Sequence, residues 1–219
     1  MWDGNPRALT ASVDSAFETV VIATLAAKGF RRSRRAVTRR DGDLYFSLRL
    51  RIRSNLPWGS CIFSMEGGLA VRQCLPFTPR PKKPYDFGQQ TIPWQCLNYG
   101  FEPEAVTKGQ FILRTTSELE EAVGSERDAF SAAILDGFPS IEAVREHLWR
   151  VFAAGSGGEF RMAQSARHWR FLAILLAEAG DTFRLEQVQN RAPDLWEQAL
   201  PSAVQQDWDS LRRTAGLDP

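Results

Sequence analysis

The residues of this chain best suited to chemistry are nine arginines concentrated between positions 31 and 53. A guanidinium group pairs with a carboxylate or a phosphate through two parallel hydrogen bonds, so this cluster indicates the binding of anions. Within the same stretch only Asp41 and Asp43 carry negative charge, and the excess of arginine therefore predicts a basic surface. The nine residues are Arg31, Arg32, Arg34, Arg35, Arg39, Arg40, Arg49, Arg51 and Arg53.

A β-strand is predicted to carry the last three arginines of this set. Along Leu44–Arg53, apolar residues alternate with polar ones. Because successive side chains of a strand point to opposite faces, the apolar residues are expected to face a core. The sequence therefore predicts Arg49, Arg51 and Arg53 on the opposite, solvent-facing surface.

A tight turn at Asp41-Gly42 is predicted to make the whole stretch one hairpin. Asp-Gly is favoured in two-residue turns because both central positions need positive φ. With that turn, Arg34 lies opposite Arg49, and Arg32 lies opposite Arg51 on the same face. Like charges placed opposite each other destabilise a sheet, by about 0.2–1 kcal/mol per pair, so we expect an anionic group to offset them.

Two loops add further candidates for binding. The Pro-rich segment 75–94 carries a second basic cluster, and its five prolines exclude regular helix or central strand. We interpret this segment either as a plain connector or as a binding loop that extends the basic surface. A tryptophan in the turn after Arg53 resembles a binding hot spot if it is exposed. The candidates in these loops are Trp58, Arg80, Lys82 and Lys83.

Charge is distributed unevenly along the chain, although the net charge is only +1. Residues 1–100 contain 15 basic and 7 acidic side chains, a net of +8. Residues 101–219 contain 12 basic and 19 acidic side chains, a net of −7. Such a split predicts either two faces that attract each other within the fold or a basic surface for an acidic partner.

No catalytic or metal-binding motif is found in the sequence. Cys61, Cys74 and Cys96 are widely spaced without a CxxC, and the two histidines have no third ligand at metal spacing. Phosphate-binding glycine loops and the GxSxG and His–Glu protease motifs are absent. We therefore expect no metal and no cofactor, and the sequence favours a non-enzymatic protein while leaving an enzyme open.

A soluble, cytoplasmic protein is predicted. An odd number of scattered cysteines fits a reducing compartment, and the N-terminal residues lack the pattern of a secretory signal. The longest apolar runs, Val20–Ala27 and Phe171–Ala177, are too short to cross a bilayer. We expect no membrane partner.

The predicted fold is α+β: an N-terminal helix packed on an antiparallel β-meander of about four strands, followed by a largely helical C-terminal half. The first helix is predicted over Thr10–Lys28, and further strands near Ser60–Arg72, with a bulge or bend at Gly67-Gly68, and near Gly109–Thr115. Helices are expected near 117–124, 125–137, 140–154, 161–179, 182–192 and 193–214. Because Ala153–Phe160 is glycine-rich, we predict an α+β domain over 1–154 and a helical segment over 155–219.

Four segments of the chain are similar to a bacterial family catalogued only as a domain of unknown function (number forty-three zero four). They are FETVVIATLAAKGFRRSRRAVTRRDGDLYFSLRLRI, the strand CIFSMEGGLAV, the downstream Trp94, and AFSAAILDGFPSIEAVREHLW with its Gly137–Pro139 break. The similarity covers about residues 12–192 and departs in the arginine-rich hairpin and the proline loop. It implies an α+β fold and no established activity.

Two kinds of partner fit the basic surface. The interpretation that the sequence favours is a binding module, of the accessory or immunity-protein kind, whose arginines dock an acidic protein. The alternative is a nucleic-acid-associated protein that contacts phosphates with the same arginines. Single-strand binders usually provide several stacking rings, whereas Tyr45 is the one aromatic residue predicted on this face. Acidic helices of the same chain are a further expectation, since they would neutralise the arginines and remove the site.

Overall fold

The computed structural model describes residues 6–53, 61–77, 91–96, 98–101, 110–113, 115–154 and 162–191. The predicted α+β class is confirmed, with an N-terminal helix, an antiparallel sheet and helices in the C-terminal half. The chain divides into two compact units, one of Met1–Arg72 with Arg80–Phe138 and one of Gln73–Pro79 with Pro139–Pro219. The predicted boundary after residue 154 stays a prediction, because residues 155–161 lie outside the described ones.

The elements of the described residues follow one another as helix, sheet and helices. The strands are β1 (Arg31–Ser33), β2 (Ala36–Asp41), β3 (Leu44–Arg53), β4 (Cys61–Val71), β5 (Ile92–Gln95), β6 (Asn98–Phe101) and β7 (Gln110–Leu113). The α-helices are α1 (Pro6–Ala16), α2 (Ala23–Ala26), α3 (Thr116–Phe130), α4 (Ile141–Ala153), α5 (Met162–Glu178) and α6 (Thr182–Arg191). Two π-helical segments join α1 to α2 (Phe17–Ile22) and extend α3 (Ser131–Asp136), and a 3₁₀ helix (Arg72–Phe77) follows β4.

The N-terminal helix, formed by α1, the first π-helical segment and α2, begins four residues before its predicted start. Its apolar residues recur every four positions and form a buried stripe that packs against β4 and α3. Gly29, with a φ of +81°, ends the helix as predicted, and the Phe30 amide donates to the Leu25 carbonyl over 3.1 Å. The buried stripe is Leu9, Val13, Phe17, Val21 and Leu25.

One helix among the described residues, Arg7–Ala26, is long and apolar enough to span a bilayer, with a mean hydropathy of 1.3. This is weak evidence for a membrane, because a core helix of a soluble protein passes the same test. Here the apolar stripe of that helix is buried inside the first unit, and its outward positions are small or polar.

The sheet is a meander from β1 to β5, with every consecutive pair antiparallel. β6 pairs with residues 61–63 of β4, beside the part of β4 that pairs with β5, and β6 is antiparallel to β4. β7 is parallel to β6. The segment predicted as irregular up to Trp94 instead ends in β5. Pro93 is tolerated there because, among the described strands, β5 pairs with β4 alone.

The predicted arginine hairpin is wrong in register and is in fact two hairpins. β1 pairs with β2 around a turn at Arg34-Arg35, and Ser33 lies opposite Ala36. β2 pairs with β3 around Gly42-Asp43, where Gly42 has a φ of +55°. In this turn Gly42 is the first central residue and has positive φ, which glycine adopts freely. Asp41, a central residue in the predicted turn, is instead the last residue of β2 and has no left-handed conformation. The pairing therefore differs by two residues from the predicted one.

The observed register separates the arginines that were predicted to share a face. Arg49 lies opposite Ala36, not opposite Arg34. Arg32 lies opposite Val37, which is itself opposite the buried Leu48. Because cross-strand partners point to the same face, Arg32 belongs to the core-facing side of the sheet.

Arg34 is the only non-glycine residue with positive φ among the described residues, at +54°. A left-handed conformation costs an L-residue roughly 1–2 kcal/mol, whereas glycine adopts it freely. We therefore expect Arg34→Gly to be more stable than Arg34→Ala by about 1 kcal/mol, measured by urea unfolding. Both variants lose the same charge, so the difference isolates the backbone. Equal stabilities would contradict the turn described here.

The helices of the C-terminal half occupy the predicted regions, with one correction. The helices predicted at 117–124 and 125–137 are a single helix that runs through Gly124. Side-chain caps begin α3 and α4, because the Thr115 and Ser140 hydroxyls accept from amides three residues later, over 3.1 and 3.3 Å. Within the second unit α4 packs against α5 and α5 against α6. The helix predicted at 193–214 lies outside the described residues.

Candidate anion-binding surface

The helices of the first unit cover one face of the sheet and leave the other to the arginines. On the covered face the Cys61 thiol hydrogen-bonds Thr10 of α1. Trp94 of β5 packs edge-on against Phe130 of α3, with ring centroids 5.4 Å apart. Besides Arg40, which packs on Tyr45, alternation along the strands and the pairing of β1 with β2 place four exposed arginines on the opposite face. We call this set the arginine face: Arg31, Arg49, Arg51 and Arg53.

Only one end of that face is exposed to solvent. Tyr45 and Ser47, on the same side of β3, are 8% and 0% exposed, whereas the arginines from position 49 onward are exposed. The Arg40 guanidinium lies 5.3 Å from the centre of the Tyr45 ring. The expectation of an exposed aromatic residue at Tyr45 is therefore wrong, and β3 supplies no stacking ring to the face.

Glu66 of β4 partly compensates the arginine face from the neighbouring strand. It lies directly opposite Arg49, and its Oε2 atom is 3.1 Å from Nη1 of Arg51. The Glu66 side chain is 17% exposed, against 50% for Arg51. One carboxylate thus lies among the four arginines, and Arg51 is held in place by it.

On the covered side, two arginines are neutralised by the N-terminal helix. Nε and Nη2 of Arg35 each donate a hydrogen bond of 2.7 Å to the Asp14 carboxylate. This bidentate pairing raises the pKa of Arg35. Arg32 pairs in the same way with Glu18. The sequence prediction missed these carboxylates, although their spacing of four residues places them on one side of a helix. Arg32, a predicted binding residue, is therefore separated from the arginine face.

Arg39 has a packing role at the rim of the core. Its guanidinium lies 5.4 Å from the Phe30 ring centroid and 4.8 Å from that of Phe46. It also donates to the Lys28 carbonyl over 3.3 Å and lies 3.6 Å from Asp41. Contacts to two rings and a backbone carbonyl indicate that this charge holds the end of the N-terminal helix against the sheet.

Besides Arg40, which contacts the Gly42 carbonyl and the Tyr45 ring, three exposed arginines between positions 31 and 53 have no ion-pair partner among the described residues. No described residue forms an ion pair with Arg31, Arg34 or Arg53. The Arg35 carbonyl, in the turn that holds Arg34, accepts from the Leu50 amide over 2.8 Å, so this turn lies beside the part of β3 that leads to Arg53. Strands β1 and β3 are separated by β2, which corresponds to about 10 Å. Arg34 and Arg53 thus lie near one corner of the sheet, whereas Arg31, which pairs with Thr38 and through it lies level with Ser47, is six residues, or about 20 Å, further along the sheet.

The remaining predicted binding residues cannot be placed in this geometry. Trp58, Arg80, Lys82 and Lys83 lie outside the described residues. Their assignment to the binding surface stays a prediction.

A second group of reactive side chains lies on the covered face. Tyr99 donates a hydrogen bond to Glu126 of α3, and its ring stacks on Phe63 at 5.2 Å. The Cys96 sulfur accepts from the Met65 amide over 2.9 Å. Burial raises the pKa of Cys96 to about 12, and burial together with the Glu126 hydrogen bond raises the pKa of Tyr99. Both groups are protonated near neutral pH, so neither is an activated nucleophile.

Thiol labelling tests this burial. All three cysteines are buried, and with a pKa of about 12 only about one Cys96 in ten thousand is a thiolate at about pH 8. We expect Ellman's reagent to label the native protein far more slowly than the same protein in urea, where all three thiols should react. A native thiol that reacts as fast as free cysteine would contradict the buried positions.

No group of three or more metal-binding side chains is found among the described residues. The predicted separation of the two histidines is confirmed, since His147 lies on α4 and His168 on α5. Burial lowers the pKa of His147, with a further contribution from Arg150. A neutral, half-buried imidazole fits a packing role in the second unit.

No protein-family model matches this chain, and comparisons with curated proteins and with solved structures gave no match either. The similarity to the domain of unknown function therefore stays a prediction. The function of the protein is therefore inferred from the residues of the arginine face.

Proposed function

We propose that this protein is a non-enzymatic binding module of the accessory or immunity-protein kind that docks an acidic protein partner on the arginine face. The observation that carries the proposal is that three exposed arginines of the sheet and its turn, Arg31, Arg34 and Arg53, have no ion-pair partner among the described residues. Guanidinium groups bind carboxylates with two hydrogen bonds, and carboxylates of a partner would relieve their mutual repulsion.

The turn that holds Arg34 supports the same proposal. Of the two tight turns in this part of the sheet, one has glycine at the position of positive φ and the other has Arg34. Keeping an arginine there costs backbone strain, which glycine would remove. Strained residues with exposed, uncompensated side chains are found most often where the side chain has a task.

An acidic protein fits this surface better than a single-stranded nucleic acid. Stacking of bases on exposed aromatic rings supplies much of the affinity of single-strand binders. On this face Tyr45 is buried, and Glu66 lies between the arginines, where it would repel a continuous row of phosphates. A protein partner can place its carboxylates selectively next to Arg31 and Arg53 and avoid Glu66.

The test is the binding of a fluorescein-labelled, glutamate-rich peptide to Arg31→Glu/Arg53→Glu, followed by fluorescence anisotropy. Neither arginine has an ion-pair partner among the described residues, so the reversal should leave the fold intact. Exposed ion pairs contribute about 0.2–1 kcal/mol each, and reversing two charges should weaken binding about tenfold. The matched control is Lys28→Glu/Arg150→Glu, which makes the same charge change at two exposed positions that are not among the residues of the arginine face. It should bind the peptide as the wild type does.

Random duplex and single-stranded DNA distinguish the alternative. Binding to phosphates releases counterions and gives a steep decrease of affinity with salt. If DNA binds more tightly than the peptide at the same salt concentration, and the double variant loses that binding, the arginine face serves nucleic acid. Equal peptide binding by the double variant and its control would reject the arginine face for either partner.

A further inference from the structure

The first unit carries a negative patch on the side of the sheet opposite to the arginine face. The first turns of α3 expose three carboxylates, at Glu118, Glu120 and Glu121. Leu119 and Val123 of the same helix are buried, and Glu121 lies between them on the outer side of the helix. No described residue forms an ion pair with Glu120 or Glu121.

The positions of these two patches prevent them from neutralising each other within one molecule. α3 packs on the covered face, where Glu126 accepts the hydrogen bond of Tyr99 and Phe130 contacts Trp94. The arginine face lies on the other side of the same sheet. The unit is therefore positive on one side of the sheet and negative on the outer surface of the helices that cover the other side.

We propose that the acidic partner of the arginine face is a second copy of this chain, which presents the Glu118–Glu121 end of α3. This inference rests on the proposed function, and it names the carboxylates that the arginine face accepts. Charge complementarity carries it: Arg31 and Arg53 on one side of the unit, and Glu120 and Glu121 on the other, are exposed and have no ion-pair partner among the described residues.

The geometry fixes the type of association. The two patches are different surfaces, so the contact joins unlike surfaces and leaves one of each available at the ends of every open complex. Such a head-to-tail contact either closes into a ring or continues to grow with protein concentration, and it does not form a symmetric dimer. The contact is between exposed charges, so it weakens as salt shortens the Debye length from about 30 Å at 0.01 M to about 8 Å at 0.15 M.

Sedimentation velocity of the full chain at these two salt concentrations tests the proposal. The wild type should show a mass above that of the monomer, rising with protein concentration at low salt, and a monomer at high salt. Arg31→Glu/Arg53→Glu and Glu120→Lys/Glu121→Lys should each be monomeric in low salt. The control Lys28→Glu/Arg150→Glu should associate as the wild type does.

Mixing the two patch variants provides the decisive result. One variant keeps the acidic patch and the other keeps the arginine face, so the mixture should form a 1:1 heterodimer that does not grow further. A monomeric wild type at low salt, or association unchanged by both patch variants, would overturn the proposal. If the wild type is monomeric but still binds the glutamate-rich peptide through Arg31 and Arg53, self-association is rejected and the proposed function stands. If the peptide fails as well, both are rejected.

Discussion

Replacing Gly67 with alanine is expected to destabilise the first unit by about 3 kcal/mol or more, because the added methyl group has no space. A Cβ atom at this position would lie 2.2 Å from the Ser47 carbonyl oxygen and 3.0 Å from the Leu48 Cα atom. Both are backbone atoms of β3, so no side-chain rotation can relieve the contact. β3 would have to move away from β4, and ten paired positions join these two strands. Urea unfolding should show a lower midpoint or a chain that no longer folds.

The control for this substitution is Gly124→Ala in α3. A Cβ atom there meets the Val20 side chain at 3.5 Å, an ordinary contact, and the position is helical. Alanine is favoured over glycine in a helix by about 0.5–1 kcal/mol, so this variant should be as stable as the wild type or slightly more stable. If Gly67→Ala behaved like Gly124→Ala, the close approach of β3 and β4 would be wrong.

Replacing Arg127 with alanine is expected to cost about 2 kcal/mol, because this side chain ties α3 to the N-terminal helix. Its Nη1 atom donates to the Val20 carbonyl over 3.0 Å and lies 3.3 Å from the Thr24 hydroxyl. Nε and Nη2 of Arg127 donate hydrogen bonds of 2.8 and 2.9 Å to the Asp128 carboxylate, which raises the pKa of Arg127. Hydrogen bonds from charged donors contribute about 1.5–3 kcal/mol. Urea unfolding measures the change.

Arg150→Ala is the matched control for Arg127. Arg150 is exposed on α4, and its hydrogen bond within the described part of the chain goes to the Glu146 carbonyl of its own helix, over 3.4 Å. Its removal should change the free energy of unfolding by less than about 0.5 kcal/mol. Arg127→Lys keeps the charge but loses the planar fork, so it should lie between the wild type and Arg127→Ala. Similar stabilities of the Arg127 and Arg150 alanine variants would contradict the proposed link.

The sequence predicted β3 well because the strand repeats its pattern over ten residues. Leu44, Phe46, Leu48 and Leu50 are buried as the alternation requires. The extent of β4 and the end of the first helix before Gly29 were also predicted closely, whereas β7, predicted near Gly109–Thr115, covers only Gln110–Leu113. In each of these cases a local signal, alternation or a glycine stop, coincides with the structure.

The register of the arginine hairpin was not predictable from the same kind of signal. Between Phe30 and Val37 no large apolar residue is present to mark which positions face the core. Nothing local therefore indicates that the chain turns at Arg34. The bulge predicted at Gly67-Gly68 is also wrong, because β4 pairs with β3 and β5 there without an inserted residue. The glycines instead allow close backbone approach, which depends on neighbours distant in sequence.

The sequence predicted the exposed arginines of β3 but not the ion pairs that neutralise the arginines of the covered side. Strand alternation correctly indicated Arg49, Arg51 and Arg53 as exposed. The ion pairs of the covered side join residues 14 and 21 positions apart, and only the packing of the N-terminal helix brings them together. Because those contacts neutralise Arg32 and Arg35, the exposed basic surface is limited to the arginine face and the turn that holds Arg34.

The most direct test of the arginine face is nuclear magnetic resonance of the arginine Nε–Hε groups during titration with the glutamate-rich peptide. We expect the Nε–Hε signals of Arg31, Arg34 and Arg53 to shift together as peptide is added and to stop shifting once the site is saturated. The signal of Arg35, already bound to Asp14, should remain unchanged. Shifts of equal size at Arg150, or shifts confined to Arg35 and its side of the sheet, would contradict the account.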